Sequence, residues 1–222
     1  MLIIYLKTLI LPMAFAKSKE KKYNQLYMIL IIGLGNPGSQ YQSTRHNLGF
    51  MVLNELQELA GFSAFEFAKK FNSFVSQGIL AENEAILLKP QTFMNESGKA
   101  VKAIANFYKI NVKDIYVVHD EADVELGKIK ISQNANSAGH KGVQSIINEL
   151  GVKEFTRFRV GIDSKNPDYQ NRINSQGLES VVLENFSSEE IPLVDKIIKE
   201  TADTIIATIK KNNGFSDPKD IN

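Results

Sequence analysis

Seven polar residues stand at the ends of predicted strands or at the starts of predicted helices, where α/β proteins place their ligand sites. They are Asn36, Tyr41, His46, Asn47, Asn95, Asp120 and His140. Each has an ordinary structural explanation when taken alone; Asn47, for example, is predicted to cap the helix that follows it. All three histidines of the chain fall in these segments. This concentration of polar groups indicates a functional site.

The residue types limit the chemistry that such a site could perform. The chain has no cysteine, which excludes disulfides, thiolate metal ligands and a cysteine nucleophile. No G-x-S-x-G stretch is present to expose a serine nucleophile. Three histidines also leave little room for a histidine metal cluster. A hydrolase with this composition would therefore use water as its nucleophile.

The turn that contains Asn36 has the spacing Gly33-x-Gly35-x-x-Gly38, which is nominally that of a dinucleotide-binding loop. That function needs a helix that opens at the third glycine, so that its N-terminus can hold the pyrophosphate. Here nine polar or turn-forming residues follow Gly38 before the next predicted helix. The pattern therefore favours a turn that delivers polar side chains. A dinucleotide-binding titration would separate this hypothesis from a nucleotide-dependent oxidoreductase.

Hydrophobic periodicity predicts the elements that must position these residues. The predicted strands cover 28–34, 74–80, 85–89, 114–119, 127–132 and 158–162. The predicted helices cover 48–60, about 95–109, 140–150, and a last segment that starts at residue 187 or 188. The second and third strands form a hairpin, which makes the sheet mixed. The alternation of elements predicts a single-domain α/β/α sandwich with a mixed central sheet.

Charge is distributed unevenly along the chain. Residues 1–27 carry five lysines and one glutamate, whereas the whole chain has a net charge of +1. We interpret 1–27 as an extension that precedes a catalytic domain over 28–222, with a secretory signal as the alternative. Between residues 128 and 172, eight Lys or Arg stand against four Asp or Glu. This region is the candidate for contact with a polyanion, and a solvated face is the alternative.

Five segments of the chain resemble the bacterial peptidyl-tRNA hydrolase family. They read "GLGNPGSQYQSTRHNLGF", "LLKPQTFMNESGKAV", "VVHDEADVELGKIKI", "AGHKG" and "RFRVGI", in that family's order and spacing. The resemblance runs from about Met28 to the last helix and leaves 1–27 uncovered. It implies a cytoplasmic, monomeric enzyme without metal or cofactor. Such an enzyme hydrolyses the ester between the peptide and the terminal ribose of peptidyl-tRNA.

The resemblance also implies roles for individual residues. His46 would be the general base on water, Asp120 would hold its imidazole, and Asn36 and Asn95 would position substrate and water. The residues that would shape the peptide channel or lie at its rim are Tyr41, Phe93, Met94 and His140. The residues that would contact tRNA phosphates are Lys128, Lys130, Lys141, Arg157 and Arg159.

One of these positions departs from the family pattern, because Lys141 stands where the family usually has asparagine. A non-catalytic tRNA- or ribosome-associated module on the same scaffold is the alternative function. The presence of both His46 and Asp120 favours the enzyme.

Overall fold

The computed structural model describes residues 28–164 and 167–212, and the predicted extension over 1–27 lies outside the described residues. Its strands are β1 (Met28–Gly33), β2 (Glu66–Ala68), β3 (Ser73–Leu80), β4 (Asn83–Pro90), β5 (Ile115–Glu125), β6 (Ile129–Ser132) and β7 (Thr156–Asp163). They form one sheet in the order β2-β3-β4-β1-β5-β7-β6. The four central strands β4, β1, β5 and β7 are parallel. The outer pairs β2–β3, β3–β4 and β6–β7 are antiparallel, so the sheet is mixed as predicted.

Helices cover both faces of this sheet. They are α1 (Leu48–Leu59), α2 (Ser97–Tyr108), α3 (Lys141–Leu150), α4 (Pro167–Gln176), α5 (Leu178–Val181) and α6 (Ile191–Asn212). Apolar residues of α1 and α6 share one core with the sheet, and those of α2 and α3 share the other. The predicted α/β/α sandwich is thereby confirmed. Within the described ranges, no helix combines the length and the apolar character needed to cross a bilayer.

The central strand β1 is buried on both faces, which explains its unbroken apolar sequence. Ile29 and Ile31 belong to the core under α1 and α6, whereas Leu30 and Ile32 belong to the core under α2 and α3. All four side chains are at most 2% exposed. This strand therefore forms the rigid centre from which the following loop departs.

Three elements of the described chain were not predicted, and each lacks a strong local pattern. β2 has only three residues and pairs at the sheet edge. α4 is almost wholly polar, with Tyr169 as its one buried residue, so it shows no apolar stripe. α5 has only four residues. β2 is defined by its pairing with β3, and α4 and α5 each bury a single residue, Tyr169 and Val181.

Two predicted boundaries differ from the observed ones by more than two residues. β5 extends beyond residue 119 to Glu125, because its last part continues to pair with β7 through an irregularity after Glu121. The last helix begins at Ile191 rather than at 187 or 188, because residues 187–190 form a turn in which Ile191 N donates to Ser187 O.

The close approach of β1 and α1 determines where the polar loop lies. A Cβ atom added at Gly33 would lie 2.4 Å from the carbonyl oxygen of Gly49, so only glycine allows this contact. β1 also ends at Gly33, opposite Val118 of β5. The segment of β5 around Asp120 therefore extends past the end of β1, and the start of α1 lies beside it.

Candidate active site

The turn before α1 brings His46 to the carboxylate of Asp120. His46 lies in a 3₁₀ turn (Arg45–Asn47), and its Nδ1 is 3.0 Å and 2.9 Å from the two carboxylate oxygens of Asp120. Asp120 is 3% exposed, whereas the side chain of His46 is 12% exposed. Since Nδ1 donates to the carboxylate, the lone pair of the neutral ring is at Nε2, which has no partner among the described residues. This is the arrangement of a general base with an orienting acid.

The same carboxylate accepts a second hydrogen bond from His140. The Nδ1 atom of His140 accepts from the backbone N–H groups of Gly142 and Val143, at 3.2 Å and 3.3 Å, and so caps α3. A nitrogen that accepts carries no proton, so the ring proton is at Nε2, which donates to Asp120 Oδ1 at 3.0 Å. The rings of His46 and His140 lie 5.0 Å apart. His140 is thus fixed as a neutral donor, and His46 is the ring left to accept a proton.

The third histidine supports this arrangement from the interior. His119 is fully buried, and its Nδ1 donates to the backbone carbonyl of Asp120 at 2.7 Å. Its ring packs edge-on against that of His140, with centroids 4.6 Å apart. Sequence reasoning treated His119 as a strand residue only. Its position next to Asp120 in "VVHDE" was the one available signal.

Asn36 and Asn47 join two loops at the site. Asn47 was predicted to cap α1, but its side chain makes no cap bond; it accepts from Asn36 N at 2.8 Å and donates to Asn36 O at 3.0 Å. The Oδ1 atom of Asn36 accepts from Met94 N at 2.9 Å. This leaves Nδ2 of Asn36 without a partner among the described residues. Asn36 therefore presents a neutral amide donor from a fixed position.

The second loop carries the residues predicted to shape the peptide channel. Met94 is buried and packs against Gly142 of α3. The approach is close, since a Cβ atom added at Gly142 would lie 2.4 Å from the sulfur of Met94. Asn95 is exposed in a 3₁₀ turn (Met94–Glu96), and Phe93 beside it is 59% exposed. α2 begins at Ser97, two residues after Asn95, which agrees with the predicted start near Asn95. Tyr41 is half-buried in a 3₁₀ turn of the first loop.

Burial and charge set the protonation states of this cluster. Burial alone lowers the pKa of His46, but the negative charge of Asp120 and its hydrogen bond outweigh burial and raise the pKa above 6.5; Lys141 opposes them. Burial raises the pKa of Asp120, but the two histidines outweigh it and hold that pKa far below its usual range. Burial lowers the pKa of His119 well below 6.5. At neutral pH the site therefore holds a carboxylate and a histidine that can take a proton.

Comparison with known proteins decides the family. Residues 30–218 match the family model described as peptidyl-tRNA hydrolase. The chain belongs to the peptidyl-tRNA hydrolase family. It is 43% identical over 183 residues to the peptidyl-tRNA hydrolase of Thermoanaerobacter sp. (strain X514), which covers 82% of this chain and 94% of that protein. It is 41% identical over 176 residues to the peptidyl-tRNA hydrolase of Bacillus anthracis, which covers 79% of this chain and 90% of that protein.

The solved structures agree with this assignment. A crystal structure of peptidyl-tRNA hydrolase from Acinetobacter baumannii superposes with a TM-score of 0.74 at 30% identity, over 86% of this chain and 93% of that one. The resemblance seen in the sequence is thereby confirmed, and the chain is a hydrolase of the peptidyl-tRNA hydrolase family.

Four of the five basic residues that were predicted to contact tRNA phosphates are partly or fully exposed. Three of these four form ion pairs with acidic side chains. Lys128 lies 2.6 Å from Glu125, Arg159 lies 2.8 Å from Glu121, and Lys141 lies 2.8 Å from Glu179. Lys130 is exposed on β6, opposite Arg159 of β7. The pairs of Lys128 and Lys141 are surface contacts that a phosphate could replace at small cost. Glu121 is only 5% exposed, so moving Arg159 to a phosphate would cost more, because a buried carboxylate would lose its charged partner.

Arg157 does not join that exposed group. Its side chain is 2% exposed, and its Nη1 donates to the carbonyl oxygen of Asn136 at 3.0 Å. The predicted phosphate contact of Arg157 does not fit this burial, because its guanidinium is covered by the loop before α3 and binds that loop. Arg157 and Arg159 lie two positions apart on β7, but the side chain of Arg159 is 22% exposed whereas Arg157 is buried.

The cluster of His46, Asp120 and His140 also has the residue types of a metal site. One potential ligand atom from each lies within 4.8 Å of the others. A metal on Nε2 of His140 would require the ring proton to move to Nδ1, which accepts from two backbone amides of α3. A metal would therefore disrupt the helix cap. The donor set of these residues fits a proton-transfer network better than a cation site.

Proposed function

We propose that this enzyme hydrolyses the ester between peptide and tRNA in peptidyl-tRNA, with His46 as general base on water. The observation that carries the proposal is the pair of contacts from His46 Nδ1 to Asp120, at 2.9 Å and 3.0 Å. They leave Nε2 as the proton acceptor in a ring held by a buried carboxylate. Water is a poor nucleophile at neutral pH, and a base with a pKa near the working pH activates it.

The reaction proceeds in two steps. Water attacks the ester carbonyl carbon while His46 Nε2 takes its proton, which gives a tetrahedral oxyanion and an imidazolium stabilised by Asp120. Neutral amide donors of Asn36 and Asn95 stabilise the oxyanion. The carbon–oxygen bond to the ribose then breaks, and the imidazolium returns the proton to the ribose oxygen. The products are a peptide carboxylic acid, which ionises, and free tRNA.

The position of the surrounding residues orients the substrate across the site. Lys128, Lys130, Lys141 and Arg159 belong to the β5–β7–β6 half of the sheet and to the start of α3, and we assign this side to the tRNA phosphates. Tyr41, Phe93 and Met94 follow β1 and β4, and we assign that side to the peptide. The proposal also includes action as a cytoplasmic monomer without metal or cofactor.

Turnover of purified peptidyl-tRNA tests this function. Wild-type protein should release free tRNA, and His46→Ala should lower kcat at least about a hundredfold. Asp120→Asn should lower kcat while leaving the fold intact, because the imidazole then takes the wrong tautomer. Glu82→Gln is the matched control and should keep full activity. Glu82 lies at the tip of the β3–β4 hairpin, level with the start of β1, whereas the site lies beyond the end of β1.

Two outcomes would contradict the proposal. Wild-type protein that binds peptidyl-tRNA without releasing tRNA would favour the non-catalytic binding module. Inhibition by a metal chelator that added metal reverses would instead assign the chemistry to a bound ion.

A further inference from the structure

A fully buried arginine precedes the catalytic histidine. The side chain of Arg45 is 0% exposed, and its Nη2 lies 2.5 Å from Oε2 of Glu190. The two residues are 145 positions apart in the chain. An ionised side chain in the interior is costly unless it is paired. Such a cost next to His46 indicates a role beyond general stability.

Aromatic rings enclose the rest of the Arg45 guanidinium. Its central carbon lies 4.7 Å from the ring centroid of Tyr169 in α4 and 4.6 Å from that of Phe186. Nε and Nη1 of Arg45 have no hydrogen-bond partner among the described residues. They are therefore stabilised by the ring faces rather than by oxygen atoms. This geometry suits the planar guanidinium and would not suit a lysine ammonium in the same way.

Glu190 is held in place by the start of α6. Its Oε2 also accepts from the backbone N–H of Ser187 at 2.8 Å, which is half of a capping box. Burial raises the pKa of Glu190, but the hydrogen bonds from Arg45 and Ser187 outweigh it and lower that pKa. The carboxylate is therefore charged at neutral pH, and its position is fixed by the helix that follows.

The same C-terminal segment holds the backbone of the catalytic turn. Arg45 N donates to Glu184 O at 3.0 Å, and His46 N donates to Val182 O at 2.8 Å. Thr44 forms an isolated β-bridge with Asn185. The turn that carries His46 is thus attached to residues 182–190 through both its backbone and its preceding side chain.

We propose that Arg45 is a positioning residue for the hydrolytic reaction, which holds His46 against Asp120 by anchoring the catalytic turn to Glu190, Tyr169 and Phe186. This role rests on the proposed function, because it assumes that His46 is the base. The His46–Asp120 contact depends on accurate placement of the ring, since both carboxylate oxygens of Asp120 lie at hydrogen-bond distance, about 3 Å, from Nδ1 of His46. A displacement of about 1 Å can cost a hundredfold in rate.

Two variants weaken the contacts of Arg45 with Glu190 and the two rings while keeping side chains of similar size. Glu190→Gln keeps an oxygen that can accept from Ser187 and so retains the cap, but it removes the charge that pairs with Arg45. Arg45→Lys keeps the positive charge but loses the planar group between the two rings. The matched control is Glu184→Gln, which breaks the exposed pair between Arg172 and Glu184 on the same segment, at 3.2 Å.

The test combines steady-state kinetics with an NMR titration of the His46 ring, assigned by comparison with His46→Ala. In Glu190→Gln and Arg45→Lys, kcat should fall at least about tenfold while KM changes less than about twofold. The His46 titration midpoint should also fall, because Asp120 is the group that raises it and Arg45 does not act on it directly. Glu184→Gln should change neither quantity.

Folded variants with wild-type kcat and an unchanged His46 midpoint would overturn the proposal, even if their unfolding temperatures fell. If Arg45→Lys does not fold, Glu190→Gln carries the test, because it retains the helix cap. Absence of turnover in the wild-type protein would contradict the proposed function instead. The His46 midpoint would then still decide whether Arg45 positions the ring.

Discussion

At the scale of single residues, the site depends on one carboxylate that accepts from two histidines. Asp120 receives Nδ1–H of His46 and Nε2–H of His140. Of these two rings, only that of His46 keeps an acceptor nitrogen without a partner among the described residues, because the other nitrogen of His140 caps α3. Identical side chains thus have different chemistry because their second ring nitrogens have different partners.

The pKa of His46 predicts the pH dependence of the enzyme. Burial lowers this pKa, Asp120 raises it, and the net shift is upward from 6.5. The base must be neutral, so kcat/KM should fall as the pH drops through a midpoint above 6.5. A pH–rate profile of the wild-type enzyme checks this, and Asp120→Asn should move the midpoint to lower pH. A wild-type midpoint below 6.5 would indicate a different base.

Lys141 tunes the same group from the start of α3. Its charge lowers the pKa of His46, and its ammonium pairs with the exposed Glu179 of α5 at 2.8 Å. Lys141→Ala and Lys141→Asn should therefore move the acid limb of the pH–rate profile to higher pH. Glu179→Gln keeps the lysine and is the control, and it should not produce that upward movement. Identical profiles for wild type and Lys141→Ala would show that the lysine is too well solvated to matter.

At the scale of elements, His140 connects the start of α3 to the catalytic carboxylate. His140→Ala should destabilise the protein by about 1 kcal/mol, the usual value of a helix cap. It should also lower kcat about tenfold, because the charged carboxylate of Asp120 loses the hydrogen bond that it accepts from His140. His140→Asn should recover the stability, since asparagine is a good cap, but not the activity. Thermal unfolding and kcat measured on both variants separate the two roles, and recovery of kcat in His140→Asn would assign His140 to capping alone.

The hairpin between β3 and β4 contains backbone strain far from the site. Its two turn residues, Ala81 and Glu82, have φ values of 47° and 63°, a region that favours asparagine and glycine. The double variant Ala81→Asn/Glu82→Gly should stabilise the protein by about 1 kcal/mol, or raise its unfolding temperature by about 2–4 °C. Turnover should not change, because this turn lies near the start of β1, whereas the site lies beyond the end of β1. Calorimetry with an activity assay checks both, and an unchanged or lower unfolding temperature would mean that this turn tolerates its residues without strain.

At the scale of the whole molecule, exposed lysines lie at both ends of the sheet, and the proposed function assigns only one of these ends to tRNA. Lys130 is exposed on the edge strand β6, whereas Lys69 is exposed near β2 at the other end of the sheet. If tRNA phosphates lie along β6 and β7, Lys130→Gln should reduce the slope of log binding constant against log salt by about one unit. Lys69→Gln is the control and should leave that slope unchanged. Equal slopes in wild type and Lys130→Gln would place the phosphates elsewhere.

The sequence by itself determined the fold class and the family, and it selected the residues of the candidate site. β1 and α3 were predicted close to their observed bounds, because β1 is an unbroken apolar run buried on both faces and α3 has apolar residues at helical spacing. His46, Asp120, Asn36 and His140 were selected because polar residues gather near strand ends and helix starts, and their proposed roles came from the family resemblance. The outlying segments α4 and β2 were not predicted, since their few buried residues give no repeat.

Only the tertiary structure decided the contacts that join distant parts of the chain. It showed that Asn47 holds Asn36 instead of capping α1, and that Arg157 is buried beneath a loop while Arg159 is not. It also brought Glu190 to Arg45 across 145 positions. Local sequence specifies backbone preference and the burial pattern of an element. The partner of a polar side chain depends on which elements pack together, and that is a property of the folded molecule.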